Sequence, residues 1–231
     1  MVKRVGVLKV ADGSLSSDVE RSYEISSERL VKLGYETVDI DLPSLEYVVP
    51  VYYTIATAEA SANLARYNGL RYGYRSKKGN DPGELMQSSR DEGFGDEVKL
   101  RILLGTYVLR SGFQDQYYHR AQKVRTAIRN EFENIFNSLD LIMMPVFPST
   151  AFKHGSGDLD PFQQKVADRY TCAANLTGLP AFAVPSSVEN GLPAGVQFTA
   201  PAFEEERLFN IAGVLEEEYP SPDPAGFRDW S

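Results

Sequence analysis

The feature that most constrains the fold of this sequence is a strand–helix–strand pattern within its first 42 residues. Residues 4–10 read as a strand, and the alternation over 35–42 reads as a second strand that Pro43 ends. Between them, Ser17 and Glu20 are spaced as a capping box, and the segment 18–33 has the pattern of a helix. A βαβ unit of this kind predicts the α/β class. No G-x-G-x-x-G follows the first strand, so the pattern does not indicate a dinucleotide site.

The rest of the chain continues this mixture of helices and strands. Polar and glycine-rich residues over 76–94 predict a mobile or function-bearing loop. Apolar residues spaced by three and four predict a core-facing helix over about 114–138, with the stripe Val124, Ile128, Phe132, Ile135 and Leu139. Further helices are predicted over 97–109 and around 208–215, and strands over 141–146, 181–184 and 195–199, the last two flanking the Asn190-Gly191 turn.

Composition excludes several classes of protein. The 231 residues contain one cysteine and two histidines, too few for a disulfide framework or a histidine-rich metal centre. The net charge is −8, and a chain this acidic is a poor binder of nucleic acid by itself because phosphate contacts dominate that affinity. No segment approaches the ~20 apolar residues of a membrane helix, and no secretory signal is recognisable. We therefore expect a soluble, cytoplasmic protein without membrane contact.

Few residues suggest chemistry that the chain could carry out alone. His154, Ser156 and Asp158 are sequence neighbours in a glycine-rich loop, whereas a catalytic triad needs groups that converge in space. Cys172 precedes an apolar run, which is typical of a buried small hydrophobe rather than a nucleophile. The basic residues Arg120, Lys123, Arg125 and Arg129 suggest either a phosphate-binding strip or the solvated face of a helix, and the second interpretation is favoured.

A stretch rich in tyrosine and arginine at 63–75 has two open interpretations. Its aromatic and guanidinium groups could line a ligand site, as they do in proteins that stack nucleic-acid bases. They could equally form a packed structural corner. The residues alone leave these alternatives open.

Several stretches resemble the A subunit of the glutamyl/aspartyl-tRNA amidotransferases, which belongs to the amidase signature family. The order and spacing of these stretches are similar to that family across nearly the whole chain. They are V-P-V-Y-Y-T-I-A-T-A-E-A-S-A-N-L-A-R-Y-N-G-L-R-Y-G at 49–73, E-G-F-G-D-E-V-K-L-R-I-L-L-G-T-Y-V-L at 92–109, Y-Y-H-R-A-Q-K-V-R at 117–125, A-N-L-T-G-L-P-A at 174–181 and L-P-A-G-V-Q-F at 192–198.

The resemblance implies a mixed β-sheet flanked by helices and an incomplete catalytic apparatus. The family's chemistry uses a lysine, a serine in a cis peptide and a nucleophilic serine in a Gly/Ser-rich signature, all in its N-terminal half. Here the only similar run is Gly155-Ser156-Gly157, in the wrong place. We therefore expect residues 1–231 to form a partial amidase signature domain, the C-terminal part of the fold, without the catalytic half. By itself the chain is expected to release no glutamate from glutamine.

The resemblance also assigns substrate-binding residues. The family's glutamine-gripping positions fall on Tyr52, Arg101 and Asp168. A guanidinium can bind the α-carboxylate as a fork, a carboxylate can pair with the α-ammonium, and a phenol can supply a hydrogen bond. For Arg101 and Asp168 the alternative interpretation is a structural ion pair. Leu100 departs from the family, which usually has a basic residue there.

In the complete enzyme of this family, glutamine is hydrolysed through an acyl-serine and the ammonia passes to the B subunit. There ATP and Mg²⁺ activate the misacylated Glu-tRNA or Asp-tRNA, and the C subunit wraps the other two. No cofactor is therefore expected in this chain, whose partners would be subunits B and C, glutamine and, indirectly through the second of these three proteins, the misacylated tRNA. The alternative is a non-catalytic interaction protein that retains the surface for the other subunits.

Overall fold

The computed structural model describes residues 2–10, 12–152, 167–189 and 192–220. The chain divides into two compact units. Residues 1–49 and 126–231 form the sheet unit, and residues 50–125 form the helical unit. The expectation of one partial domain over 1–231 stays a prediction. No helix in the described ranges is both long enough and apolar enough to cross a membrane.

A mixed β-sheet organises the sheet unit, in agreement with the predicted α/β class. In its described part the sheet has five strands in the order β2-β1-β3-β5-β4. β1 pairs in parallel with both β2 and β3, whereas β5 is antiparallel to β3 and β4. The strands are β1 Arg4–Leu8, β2 Glu36–Ile40, β3 Leu141–Pro145, β4 Ala181–Glu189 and β5 Leu192–Thr199.

The predicted βαβ unit is present, although its helix starts one residue earlier than expected. Helix α1, Ser17–Lys32, has Ser16 as its N-cap, whose side-chain oxygen accepts a hydrogen bond from the Val19 N–H at 3.4 Å. The predicted capping box at Ser17 is therefore wrong, because the preceding serine already satisfies the first turn. Gly34 follows the helix with φ +87°, a conformation that favours glycine.

The core of the sheet unit lies around β3. Leu141, Ile142, Met143 and Met144 are completely buried, which explains why this strand reads as a continuous apolar run rather than an alternation. The Tyr23 hydroxyl of α1 lies within hydrogen-bonding distance of two carbonyl oxygens, Leu8 at 3.1 Å and Met143 at 2.9 Å. This buried phenol ties α1 to the ends of two neighbouring strands.

Strands β4 and β5 form a hairpin that is longer than the sequence predicted. Their pairing extends to Glu189 and Leu192, and the Asn190-Gly191 turn lies outside the described residues. The register shifts between Pro185 and Ser187, which makes Ser186 the extra residue of a bulge. The Ser186 hydroxyl donates to the Ser22 carbonyl oxygen of α1 at 2.8 Å. The bulge therefore turns a strand residue toward the neighbouring helix.

Three further helices are described after residue 119, and the predicted apolar stripe of the first is confirmed. In that helix Ile128 and Phe132 are completely buried, and Leu139 just beyond it is 5% exposed. The sequence predicts one helix over 114–138. The structure instead has a short π-helical turn, Asp115–His119, before the α-helix begins. The helices are α5 Arg120–Phe136, α6 Arg169–Thr177 and α7 Glu205–Glu218.

The helical unit contains α3, Pro82–Gly93, and α4, Asp96–Val108, together with most of α2, Leu45–Leu64. Helix α3 corrects the prediction of a loop over 76–94. Its N-cap is Asp81, whose carboxylate accepts hydrogen bonds from the Gly83 and Glu84 N–H groups at 2.7 and 2.9 Å. The Asp-Pro pair that begins this helix is a sequence signal for a helix start that the glycine content outweighed.

The tyrosine- and arginine-rich stretch at 63–75 forms a corner between α2 and α3. The Arg90 guanidinium donates to the Leu64 and Tyr67 carbonyl oxygens at 2.7 and 3.0 Å, which satisfies backbone acceptors at the end of α2. The rings of Tyr67 and Tyr72 pack edge to face, with 5.3 Å between their centroids. These contacts favour the packed corner over the ligand-lining loop.

Candidate substrate-binding site

Two of the three predicted substrate-binding residues lie in the helical unit. Tyr52 is on α2 and Arg101 is on α4. The Tyr52 and Tyr53 rings stand almost perpendicular, with centroids 5.4 Å apart, and the Arg101 guanidinium carbon lies 5.7 Å from the Tyr53 ring centroid. The structure therefore places the guanidinium and both phenols in one cluster.

Arg101 already has a carboxylate partner on its own helix. Its Nε donates to Glu97 Oε1 at 2.9 Å, across one turn of α4. This hydrogen bond raises the pKa of Arg101, and burial only partly opposes it. Because the pair is exposed on both sides, it contributes only about 0.3–0.5 kcal/mol. The structural ion pair proposed as the alternative for Arg101 thus exists, and it is too weak to account for the residue through stability alone.

The contact with Glu97 leaves a geometry suited to carboxylate recognition. Glu97 is engaged through Nε, so the Nη1 and Nη2 groups at the far end of the guanidinium can present the paired N–H donors that a carboxylate binds in bidentate fashion. A carboxylate at Glu97 also orients the guanidinium plane. The arrangement can hold a small anion whose other end offers a polar group to a tyrosine hydroxyl.

Sequence reasoning missed the two residues that position Arg101. Glu97 lies four residues before it, the spacing at which helical side chains meet, so this pair could have been predicted. Tyr53 was overlooked in favour of its neighbour Tyr52. Only the packing of α4 against α2 decides which of two adjacent tyrosines faces the guanidinium, so no local signal could have found it.

Asp168 lies in the sheet unit, at the N-cap position of α6. Its carbonyl oxygen accepts hydrogen bonds from the Cys172 N–H at 2.9 Å and from the Thr171 hydroxyl at 3.1 Å. The side chain is half-buried and makes no capping hydrogen bond to the helix backbone. The residue after it, Arg169, forms an ion pair with Asp12 that no pattern in the sequence indicates.

The remaining candidates carry no reactive arrangement within the described residues. Cys172 is 5% exposed, and burial, reinforced by the nearby Asp168 charge, raises its pKa to about 11. The thiol therefore stays protonated at neutral pH, as the prediction of a buried hydrophobe requires. His154, Ser156 and Asp158 lie outside the described residues. Among the described side chains no group of three His, Cys, Asp or Glu residues could hold a metal ion.

The basic strip on α5 agrees with the solvated-face interpretation. Arg120, Lys123 and Arg129 are exposed, and Arg129 Nε donates to Glu133 Oε1 at 2.7 Å one turn later. An exposed arginine that is paired along its own helix is typical of a surface helix rather than an anion site.

Comparison with known proteins identifies the family of this chain. The family described as Amidase matches residues 2–209. The A subunit of the glutamyl-tRNA(Gln) amidotransferase from Caldanaerobacter subterraneus is 45% identical over 217 residues, and its counterpart from Fusobacterium nucleatum is 48% identical over 204 residues. These matches cover 94% and 88% of this chain but only 44% and 42% of the relatives. The chain thus spans less than half the length of the curated relatives it matches.

Solved structures agree with this assignment. The crystal structure of the glutamyl-tRNA(Gln) amidotransferase A subunit from Thermotoga maritima superposes with a TM-score of 0.68 at 30% identity, over 94% of this chain and 43% of that one. A crystal structure of an amidase superposes with a TM-score of 0.73 at 22% identity, which shows the fold alone. The chain therefore belongs to the Amidase family, and it matches a C-terminal portion of the glutamyl-tRNA(Gln) amidotransferase A subunit.

Proposed function

We propose that this chain is the glutamine-binding portion of the glutaminase subunit of a tRNA-dependent amidotransferase. The observation that carries the proposal is its identity of 45–48% to A-subunit relatives over about nine-tenths of its length. The complete enzyme would convert Glu-tRNA(Gln), or Asp-tRNA(Asn), to the amidated form with ammonia from glutamine. The reaction would take place in the cytoplasm.

The contacts around Arg101 support a role in substrate binding. In this proposal the guanidinium binds the α-carboxylate of glutamine as a fork, and the Tyr52 hydroxyl supplies a further hydrogen bond. The Asp168 carboxylate pairs with the α-ammonium. The exposed pair with Glu97 keeps the guanidinium oriented before substrate arrives, which reduces the entropy that binding must overcome.

The hydrolytic step belongs to residues outside this chain's described site. The lysine and two serines of the family would lie in the portion of the relatives that the chain does not span. The released ammonia would pass to the B subunit, where ATP and Mg²⁺ activate the tRNA-bound carboxylate, and the C subunit would complete the assembly. Experiments on this proposal therefore require this chain joined to an N-terminal portion, so that the glutaminase is whole, and assembled with subunits B and C.

The test compares glutamine with added ammonia as the nitrogen donor. Arg101→Lys retains the charge and loses the planar fork, so kcat/KM for glutamine should fall roughly 10- to 150-fold, the equivalent of losing one charge-assisted hydrogen bond. Asp168→Asn should cause a comparable loss because it removes the counter-charge of the ammonium. Transamidation driven by ammonia should not change, since ammonia does not use the glutamine site.

A matched control is available on α5. Arg129 also pairs through Nε with a carboxylate one turn away on its own helix, so Arg129→Lys makes the same chemical change at a surface position. This variant should leave both activities unchanged. If ammonia-driven activity falls as far as glutamine-driven activity in the Arg101 and Asp168 variants, these residues support the fold and the proposal is wrong. The non-catalytic interaction protein would be the remaining interpretation if no variant or wild-type assembly used glutamine.

A further inference from the structure

The start of α6 is joined to the segment after β1 by an ion pair between residues 157 positions apart. Arg169 Nη2 donates to Asp12 Oδ2 at 3.1 Å, to the Tyr170 hydroxyl at 2.9 Å and to the Ser14 hydroxyl. The side chain of Arg169 is only 20% exposed. An ion pair that is shielded from solvent on its cationic side is screened less by salt than a surface pair.

The acceptor side of this ion pair is held in place before the arginine is considered. Asp12 Oδ1 accepts a hydrogen bond from the Ser14 N–H at 3.1 Å, which closes a tight turn. The pKa of Asp12 is lowered, mainly by the Ser14 hydroxyl, with smaller contributions from the Ser14 N–H and the Arg169 charge that outweigh the effect of burial. Asp12 is therefore fully charged at neutral pH.

Tyr170 anchors the same arginine to the core. Its side chain is 1% exposed, and the Arg169 guanidinium carbon lies 4.8 Å from its ring centroid. The side-chain amide of Gln197 on β5 donates to the Tyr170 carbonyl oxygen at 3.3 Å. The first turn of α6 is thus fixed to β5 on one side and to the turn at residues 12–14 on the other.

This fixed turn begins with Asp168. Because the Asp168 side chain makes no capping hydrogen bond to α6, capping does not set the direction of its carboxylate. The neighbouring Arg169 does have a fixed geometry, and it lines a cleft of about 660 Å³ together with Asp12 and Tyr170. The cleft also contains Leu8 and Asp41, the residues at or just beyond the carboxyl ends of β1 and β2, where parallel sheets bind ligands.

We propose that Arg169 and Asp12 form a latch that positions the Asp168 carboxylate for the ammonium group of the substrate. The latch consists of these two residues with the Ser14 and Tyr170 hydroxyls. Neither Arg169 nor Asp12 contacts the substrate in this proposal, and both act through the backbone of the first turn of α6. The inference rests on the proposed function, because it presumes that Asp168 binds the ammonium.

The experiment measures the KM for glutamine in the complete assembly for Arg169→Ala, Asp12→Ala and the double variant. Each single change should raise KM about 10-fold, the order of effect expected when a binding group is misplaced by a fraction of an ångström. The double variant should be no worse than the more affected single variant, because both changes open the same latch. Arg169→Lys, which retains the charge without the planar contacts, should give an intermediate KM. Ammonia-driven turnover should stay at the wild-type rate in all of them.

Arg29→Ala is the matched control for a merely structural role. Arg29 also lies over a tyrosine ring, 4.5 Å from the Tyr219 centroid, and also donates to a neighbouring element, through the Ser186 carbonyl oxygen of β4. Its replacement should lower the Tm without changing KM. If the Arg169 and Asp12 variants behave in the same way, or if their ammonia-driven rate falls in parallel, the latch is wrong.

Asp168→Asn separates failure of the latch from failure of the proposed function. If Asp168→Asn raises KM for glutamine and the latch variants do not, only the latch is overturned. If Asp168→Asn itself leaves KM unchanged, Asp168 does not bind the substrate, and the assignment of Asp168 and the latch fail together.

Discussion

The two compact units of this chain treat their apolar side chains differently. In the sheet unit, Leu141–Met144 on β3 are completely buried. In the helical unit, α4 leaves four large apolar side chains exposed at helical spacing, with Leu103 at 67%. They are Leu100, Leu103, Leu104 and Tyr107. The sheet unit thus takes its stability from an internal core, whereas the helical unit depends on close helix contacts elsewhere on α4.

The largest expected effect contrasts the same substitution in both units. Leu141→Ala removes a completely buried side chain and should reduce the free energy of unfolding by about 2–5 kcal/mol, from lost burial and the cavity it leaves. Leu103→Ala should change it by less than about 0.5 kcal/mol, because that side chain is mostly in solvent. Urea unfolding followed by circular dichroism measures both. An equal loss from the two variants would refute the contrast.

The next effect concerns the contact that holds α4. A Cβ added at Gly105 would collide with the Thr57 carbonyl oxygen of α2. Gly105→Ala should therefore destabilise the chain by about 1–3 kcal/mol despite the better helix propensity of alanine. Gly213 on α7 has open space around its added Cβ, so Gly213→Ala should instead stabilise by about 0.5–1 kcal/mol. Thermal and urea unfolding give the sign of each change. Stabilisation by Gly105→Ala would mean that α2 and α4 do not pack closely there.

The smallest effect compares a carboxylate from each unit at acid pH. In the sheet unit, Asp140 accepts hydrogen bonds from the Lys3 and Arg4 N–H groups at 2.8 and 2.9 Å and pairs with Arg207 at 3.0 Å. Burial by itself would raise the pKa of Asp140, but these contacts outweigh it, so its pKa lies below the ordinary value. Its contribution to stability is therefore complete above pH ~4 and is lost as the pH falls through the lowered pKa.

Replacing each carboxylate tests this comparison. Asp140→Asn should lower stability at neutral pH, and the difference from the wild type should shrink as the pH falls below ~4. Glu92 in the helical unit also has a lowered pKa, mainly through its hydrogen bond with Lys78, whose side chain is 80% exposed. Solvent screening should make the acid limb of Glu92→Gln nearly the same as that of the wild type. Chemical unfolding from pH 7 to pH 3 follows both, and a flat Asp140→Asn difference would contradict the assignment.

Local patterns predicted most of the elements and part of the site. The apolar stripe of α5 and the strand around Leu141 were found because burial imposes a period on the sequence. Helix α3 was missed because glycines and polar residues outweighed the Asp81-Pro82 start signal. Within the site, Arg101 and Tyr52 came from a resemblance to a family. Their partners Glu97 and Tyr53 differ in this respect, since only the first has a helical spacing that a sequence reveals.

By itself, the sequence determined the α/β class, the βαβ unit and the family, because each depends on residues close together in the chain or on their order. The tertiary structure alone decided the strand order β2-β1-β3-β5-β4, the bulge at Ser186 and the ion pair between Asp12 and Arg169. These features join segments more than a hundred residues apart. A hydrogen bond or ion pair over such a separation leaves no periodic trace in the sequence, because its partners meet only after the sheet has brought their segments together.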